Sequence, residues 1–250
     1  MFNIITSYPK SGNTWLRFII FRMYFDYVDF TSKNMEIYVP DFHNIYSNNK
    51  ITFNEKLKGK KIFLKTHLTY EKTPVFDSSK VILILRNPID VLASIVNYYR
   101  IRELEIDEVV NEFSNLHTLI RIKEKLNFPS WSEHLNSWLN SNTDLLIINY
   151  NHLIDDFEFN LKKIFNFLNF KIDNKKITKI KEETNFTNLS KLEIYEKKNN
   201  ISGFFNISVS DKKINFMNKG KIGNYSKVFN NEQVKKLEKS FGDLIDKYNL

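Results

Sequence analysis

The stretch Ser7-Tyr8-Pro9-Lys10-Ser11-Gly12-Asn13-Thr14-Trp15-Leu16-Arg17 constrains this chain more than any other. The apolar run Phe2-Asn3-Ile4-Ile5 precedes it and Phe18-Ile19-Ile20-Phe21 follows it, so the order reads strand, tight loop, helix. Pro9 removes an N–H and stiffens the turn, while Gly12 lets the backbone come close to a ligand. The unpaired N–H groups at the helix start, with the helix dipole behind them, form an anion site. Lys10 adds a positive charge, and Ser11 and Thr14 add hydroxyl donors. A Walker A loop places its lysine after the second glycine. Here the lysine precedes the glycine, which argues against a loop for a magnesium-bound nucleoside triphosphate.

Three more short apolar runs read as buried strands: Lys61–Thr66, Val81–Leu85 and Leu145–Asn149 join Phe2–Ser7. Helical patterns cover Thr14–Val28, Pro88–Tyr99, Ile106–Lys125, Trp131–Asn140, His152–Asn169 and Asn231–Tyr248. This alternation predicts an α/β fold with a central parallel sheet flanked by helices on both faces. At 250 residues the expectation is one domain spanning 1–250. The polar run Lys191–Asn218 lacks apolar periodicity and is expected to be a mobile loop over the site.

Open parallel sheets bind ligands beyond the carboxyl ends of their strands. Lys65 and His67 fall there, alternate along the chain and so share a face. Arg86 ends another strand, with Ser94 two turns into the following helix. Arginine suits a phosphate because its planar fork makes paired, charge-assisted bonds. An Arg86–Asp90 ion pair is the structural alternative. A lone histidine is more often structural than catalytic, and His43, His117 and His152 have no context that suggests chemistry.

Tyr8-Pro9-Lys10-Ser11-Gly12-Asn13-Thr14-Trp15 closely resembles the 5′-phosphosulfate loop of the cytosolic-type sulfotransferases, with Asn13 where the family most often has threonine. Lys65-Thr66-His67-Leu68 resembles the family's base motif, and Arg86-Asn87-x-x-Asp90-x-x-x-Ser94 its 3′-phosphate segment. Tyr150 stands at a strand end where the family has a tyrosine near the nucleotide. Glu183-Thr184-Asn185-Phe186 resembles a Thr-Ser-Phe segment that contacts adenine. Phe216-Met217-Asn218-Lys219-Gly220-Lys221-Ile222-Gly223-Asn224-Tyr225 resembles the Arg-Lys-Gly-x-x-Gly-Asp-Trp segment that closes over the 3′-phosphate, with Asn218 in place of the arginine and Asn224-Tyr225 in place of Asp-Trp. Ser130–Trp138 resembles a helix beside the sheet, and His134 and both tryptophans in it read as structural. The matches run from residue 4 to about 229 in the family's order.

The resemblance implies a P-loop-NTPase-like fold and in-line transfer of a sulfuryl group from 3′-phosphoadenosine 5′-phosphosulfate (PAPS) to an acceptor hydroxyl or amine. It makes His67 the general base, with Lys10 and Lys65 the other catalytic groups. The cofactor contacts are then Lys10, Ser11, Gly12, Asn13, Thr14, Trp15, Arg86, Ser94, Tyr150, Thr184, Phe186, Lys219 and Gly220. No metal is expected. The acceptor is a small molecule, a lipid or a carbohydrate, and no nucleic acid partner is expected. The N-terminal segment that lines the acceptor pocket in many members is expected to be missing, which leaves residues 29–58 and 100–130 as walls, with Phe30, Tyr38, Phe42, Tyr46, Tyr98 and Tyr99 as candidate aromatics.

The formal charge of +8 fits an anionic ligand and equally a lysine-rich solvated surface. There is no cysteine, so disulfides and thiolate metal sites are excluded. The most apolar helix carries Arg17, Arg22 and Asp26, no leader pattern precedes it, and a soluble cytoplasmic protein is expected. Two other classes share these features: a kinase or NTPase on a similar sheet, which should bind nucleoside triphosphates, and a noncatalytic anion- or nucleic-acid-binding protein, which should show a steep salt dependence and no need for His67.

Overall fold

The structure, a computed structural model, describes residues 2–47, 50–73, 79–101, 105–171, 173–207, 215–217 and 220–250. In chain order the elements are β1 (Phe2–Ser7), α1 (Asn13–Tyr24), α2 (Ser32–Tyr38), the single turn α3 (Phe42–Ile45) and a short antiparallel pair, β2 (Tyr46–Ser47) and β3 (Lys50–Ile51). Then come β4 (Ile62–Thr66), β5 (Lys80–Leu85), α4 (Pro88–Tyr99), α5 (Ile106–Leu116), α6 (Ile120–Leu126), α7 (Trp131–Leu139) and β6 (Asp144–Asn149). The chain ends with α8 (Tyr150–Asp155), α9 (Phe157–Phe167), α10 (Asn174–Thr184), α11 (Phe186–Lys198), α12 (Phe204–Ile207) and α13 (Asn231–Tyr248).

Four strands form one parallel sheet in the order β4-β1-β5-β6. The chain leaves β1 toward β4 on one side and then crosses to β5 on the other. The connections diverge between β1 and β5, so a crevice opens above the carboxyl ends of those strands. Successive strand residues face opposite ways. Ile5, Phe63, Ile82 and Ile84 pack into a core shared with α1, α9 and α10. Ile4, Leu64, Val81 and Leu83 pack into another shared with α4, α5, α7 and α13. Both faces of the sheet are therefore covered, as the continuous apolar strands require.

Several boundaries differ from the sequence reading for local reasons. The first helix ends at Tyr24 because Arg22 turns back to donate to the Asp26 and Val28 carbonyls. The stretch 106–125 breaks at His117, which adopts a left-handed φ of 54°. The stretch 152–169 divides at Asp156, whose carboxylate accepts from the Phe159 N–H and starts α9. The largest departure is at 191–198, expected as loop and found as the second half of α11. Its inward positions are acids, Glu193 and Glu196, both fully buried, so apolar periodicity could not reveal the helix. Glu196 accepts hydrogen bonds from the Ser32 N–H and hydroxyl and ties α11 to α2. Residues 208–214 and 218 of the expected loop lie outside the described residues. Among the described residues, no helix is long and apolar enough to cross a membrane.

Candidate functional site

The loop after β1 turns through two left-handed residues, Lys10 at φ 66° and Gly12 at φ 102°. A Cβ at Gly12 would lie 2.5 Å from Tyr150 Cδ2, so the position excludes every larger residue. The turn delivers the chain into α1 with Gly12 as its N-cap, no side-chain cap and no acid in the first turn. The first N–H groups of that helix are thus left for an anion. One neighbouring donor, Arg86 Nε, is buried without a protein partner. A buried unpaired donor costs about 1–3 kcal/mol, a cost that a bound phosphate would remove. The residues present therefore fit an anionic nucleotide.

Arg86 follows β5 and faces this loop. Its guanidinium donates from Nη1 to the Lys10 carbonyl at 2.9 Å and lies 4.5 Å from the centre of the Tyr150 ring. It is not paired with Asp90 in this arrangement. The buried Asp90 carboxylate accepts instead from the N–H groups of Gly223 (2.9 Å) and Tyr225 (3.3 Å), which fastens the C-terminal segment to α4. Lys10 Nζ sits over the Tyr98 ring at 3.8 Å and the Phe216 ring at 4.1 Å. Burial, and then repulsion from Arg86, bring this ammonium down to a pKa of about 7, against the pull of Glu193.

At the end of β4, His67 Nδ1 lies 2.7 Å from the Ser7 carbonyl oxygen. A carbonyl accepts only, so Nδ1 carries the proton and Nε2 keeps its lone pair. The ring meets Phe128 edge-on at 5.4 Å. Burial and the Lys65 ammonium hold the His67 pKa well below 6.5, against Asp41 and the bond to Ser7. Lys65 Nζ is bound to Asp41 Oδ2 at 2.5 Å, and its backbone N–H donates to Pro40. Burial lowers the Lys65 pKa and Asp41 opposes this. For Asp41, burial works upward, but Lys65 and then Arg17 hold the carboxyl far below the usual range. Arg17 is itself buried and gives two hydrogen bonds to the Val39 carbonyl.

These groups surround one cavity of about 520 Å³. Of the residues expected from sequence, Lys10, Gly12, Asn13, Thr14, Trp15, Lys65, His67, Arg86, Ser94, Tyr150, Phe186 and Gly220 line it. Gly220 is held at φ 56°, where a Cβ would collide with the Phe186 ring at 2.3 Å. Two expected contacts, Ser11 and Thr184, do not bring their side chains to the cavity wall. Ser11 is buried behind the loop and does not reach the cavity wall. The Thr184 hydroxyl is spent on the Ile180 carbonyl, and only its own carbonyl is engaged nearby, accepting from Trp15 Nε1 at 2.8 Å. Lys219 and Asn218 lie outside the described residues.

Several wall residues carried no signal in the sequence reading. Arg17, Phe128, Lys181 and Phe204 all line the cavity. Arg17 lies one helical turn beyond Asn13, which is the spacing that could have found it. Of the expected acceptor aromatics, Tyr98 and Tyr99 line the cavity. Tyr38 and Phe42 are buried, and Tyr46 is exposed. His43 shares the Phe128 ring with His67, at 5.8 Å. His134 bonds Thr6 from within the core and is lowered to about 3 by burial. Leu68 offers its carbonyl to Trp138 Nε1 at 2.9 Å, so that helix α7 braces the strand end bearing His67.

Against known proteins, the family model described as the sulfotransferase domain matches residues 3–249. Cytosolic sulfotransferase 1 of Danio rerio is 28% identical over 248 residues, spanning 92% of this chain and 79% of that protein. Luciferin sulfotransferase of Photinus pyralis is 24% identical over 262 residues, spanning 94% of this chain and 69% of that protein. The crystal structure of retinol dehydratase in complex with androsterone and inactive cofactor PAP shares the fold, with a TM-score of 0.71 at 18% identity, covering 98% of this chain and 80% of that one.

Proposed function

The chain belongs to the sulfotransferase family, and from that premise we propose how its residues carry out PAPS-dependent sulfuryl transfer to a small-molecule acceptor. The open start of α1, with Lys10 beside it, holds the 5′-phosphosulfate end of the donor. Arg86, Ser94 and the Gly220-Lys221 turn hold the 3′-phosphate, and Trp15 and Phe186 flank the base. The donor supplies the sulfuryl group, which passes from the 5′-phosphate oxygen to the acceptor oxygen as the acceptor loses its proton. His67 Nε2 takes that proton. The observation that carries this reading is the His67 Nδ1–H bond to Ser7, because it joins the base to the residue from which the donor loop departs. The base is uncharged at neutral pH and its lone pair is available. Lys65 faces the charge that develops on the sulfuryl oxygens, where a fixed cation in a dry site acts most strongly.

The acceptor enters past Tyr98, Tyr99, Phe128 and Phe204, which favour a compact hydroxyl compound with an apolar face. The relatives named for luciferin and retinol are consistent with that class. We place the reaction in the cytoplasm. Calorimetry with adenosine 3′,5′-bisphosphate (PAP) and with ATP tests the donor site, since two separate phosphate sites should favour PAP by about tenfold or more. Equal or tighter ATP binding would overturn the assignment. Turnover with labelled PAPS over a panel of phenols, alcohols, sugars and amines then defines the acceptor.

Asp41 makes a further prediction. It is the group that keeps Lys65 charged in a buried place beside Arg17. In Asp41→Asn the upward pull on Lys65 is lost, so its ammonium gives up the proton at lower pH. The alkaline limb of kcat/KM should move toward neutrality, and activity at pH 9 relative to pH 7 should fall by roughly tenfold more than in the parent. An unchanged alkaline limb would show that Lys65 is not held by Asp41 during turnover.

A further inference from the structure

Glu193 is a fully buried acid on α11, two turns beyond Phe186 and outside the residues matched to the family's motifs. A buried carboxylate is tolerated only when its oxygens are satisfied, and here the satisfaction is specific. Oε1 accepts from the Phe216 N–H at 2.6 Å and Oε2 from the Met217 N–H at 2.8 Å. Lys197, one turn along α11, adds an ion pair to Oε1 at 2.6 Å. These charge-assisted bonds pin residues 216–217 to α11. They also decide where the Phe216 ring goes. It packs edge-on against Phe204 at 4.8 Å and Tyr98 at 6.0 Å and gives Lys10 Nζ a second ring face, its plane turned 82° from that of Tyr98.

Resting on the donor-site reading of Lys10, we propose that Glu193 is a positioning residue: by gripping the Phe216 and Met217 backbone it closes an aromatic cage that parks the Lys10 side chain, and donor binding draws that lysine out of the cage. Two ring faces attract an ammonium but cannot replace its water as a phosphate can. The charged or titratable groups facing Lys10 are Arg86 from the end of β5, Tyr98 from α4 and Glu193 from α11. The acid that acts on Lys10 is Glu193, and its oxygens are committed to backbone N–H groups and Lys197. Caged, Lys10 is lowered to about 7, so at pH 8 its neutral form predominates. Beside the bound phosphates it is charged. Binding at pH 8 therefore takes up about one proton per site.

The test is calorimetry of PAP binding at pH 8 in two buffers of different ionisation enthalpy, which reads proton uptake directly. The parent should take up close to one proton. Glu193→Gln keeps the side-chain shape but puts an amide where one oxygen accepts an N–H, so the cage loosens and Lys10 is hydrated; relief of burial, the largest influence on this ammonium, outweighs the lost pull of Glu193, and uptake should fall to less than half. Phe216→Ala removes the ring and leaves the Glu193 bonds, and should lower uptake in the same way should the glutamine variant fail to fold. Kinetics should show the KM for PAPS changing more than kcat in Glu193→Gln. A purely structural role would lower thermal stability and leave the proton count at the parent value. Parental uptake in either folded variant, or no uptake in a parent that binds PAP, overturns the cage. Absence of PAP binding in the parent would instead overturn the donor-site reading itself.

Discussion

Replacing His67 by alanine is expected to lower kcat by about 10²–10⁴-fold, the range typical of losing a general base, while PAP affinity stays nearly unchanged. His67 touches the donor loop through one bond to the Ser7 carbonyl. That carbonyl lies at the end of β1, where the parallel ladder to β5 at Ser7 holds the backbone independently. The donor cradle should therefore survive the substitution. The pH profile gives a second readout. His67 is held below its ordinary value by burial and Lys65, so it is in its basic form throughout the neutral range, and the acid limb of kcat/KM in the parent should lie below pH 6.5. In His67→Ala that limb should disappear. Near-parental turnover, or an acid limb that persists unchanged, would mean that another group takes the acceptor's proton.

The second large effect is expected at Lys10. Methionine in its place is close in length and is accommodated by aromatic neighbours, so Lys10→Met should fill the space between Tyr98 and Phe216 and leave the fold intact. What it removes is the cation beside the bridging oxygen that becomes negative as the sulfuryl group leaves. Loss of one such stabilising group typically costs about 10²–10³-fold in kcat. Because Lys10 is proposed to meet the donor in the ground state as well, PAP binding should weaken by about tenfold or more. Single-turnover kinetics with labelled PAPS separates the two losses. A variant with weakened binding and parental single-turnover rate would make Lys10 a binding group only.

The legible part of the site was its backbone. Strand, loop and helix around Lys10 are set by an apolar run, a proline, a glycine and a second apolar run, all within about twenty residues of chain. The strand ends bearing His67 and Arg86 are local in the same sense. A parallel strand buried on both faces announces itself by its composition, and its last polar residues must then face the crevice. The family resemblance supplied roles that spacing alone does not, and a motif does not say which atoms of a residue are free: the Ser11 side chain is buried and the Thr184 hydroxyl is already bonded. Thr184 turned inward because its hydroxyl reaches the Ile180 carbonyl one helical turn back, an arrangement invisible in a motif.

The sequence by itself therefore determined the parallel sheet, the phosphate-binding turn and the set of groups at the strand ends, because each depends on neighbours within one or two elements. Tertiary structure alone decided the partners of those groups. Asp41 meets Lys65 across 24 positions, and Glu193 meets Phe216 across 23. Both acids are drawn to buried cations or backbone N–H groups rather than to solvent. Their helices and loops carry polar residues at inward positions, where a pattern of apolar residues has nothing to report. Whether a buried charge is a cost or an anchor depends on the donors placed around it, and those donors are assembled only when the chain has folded.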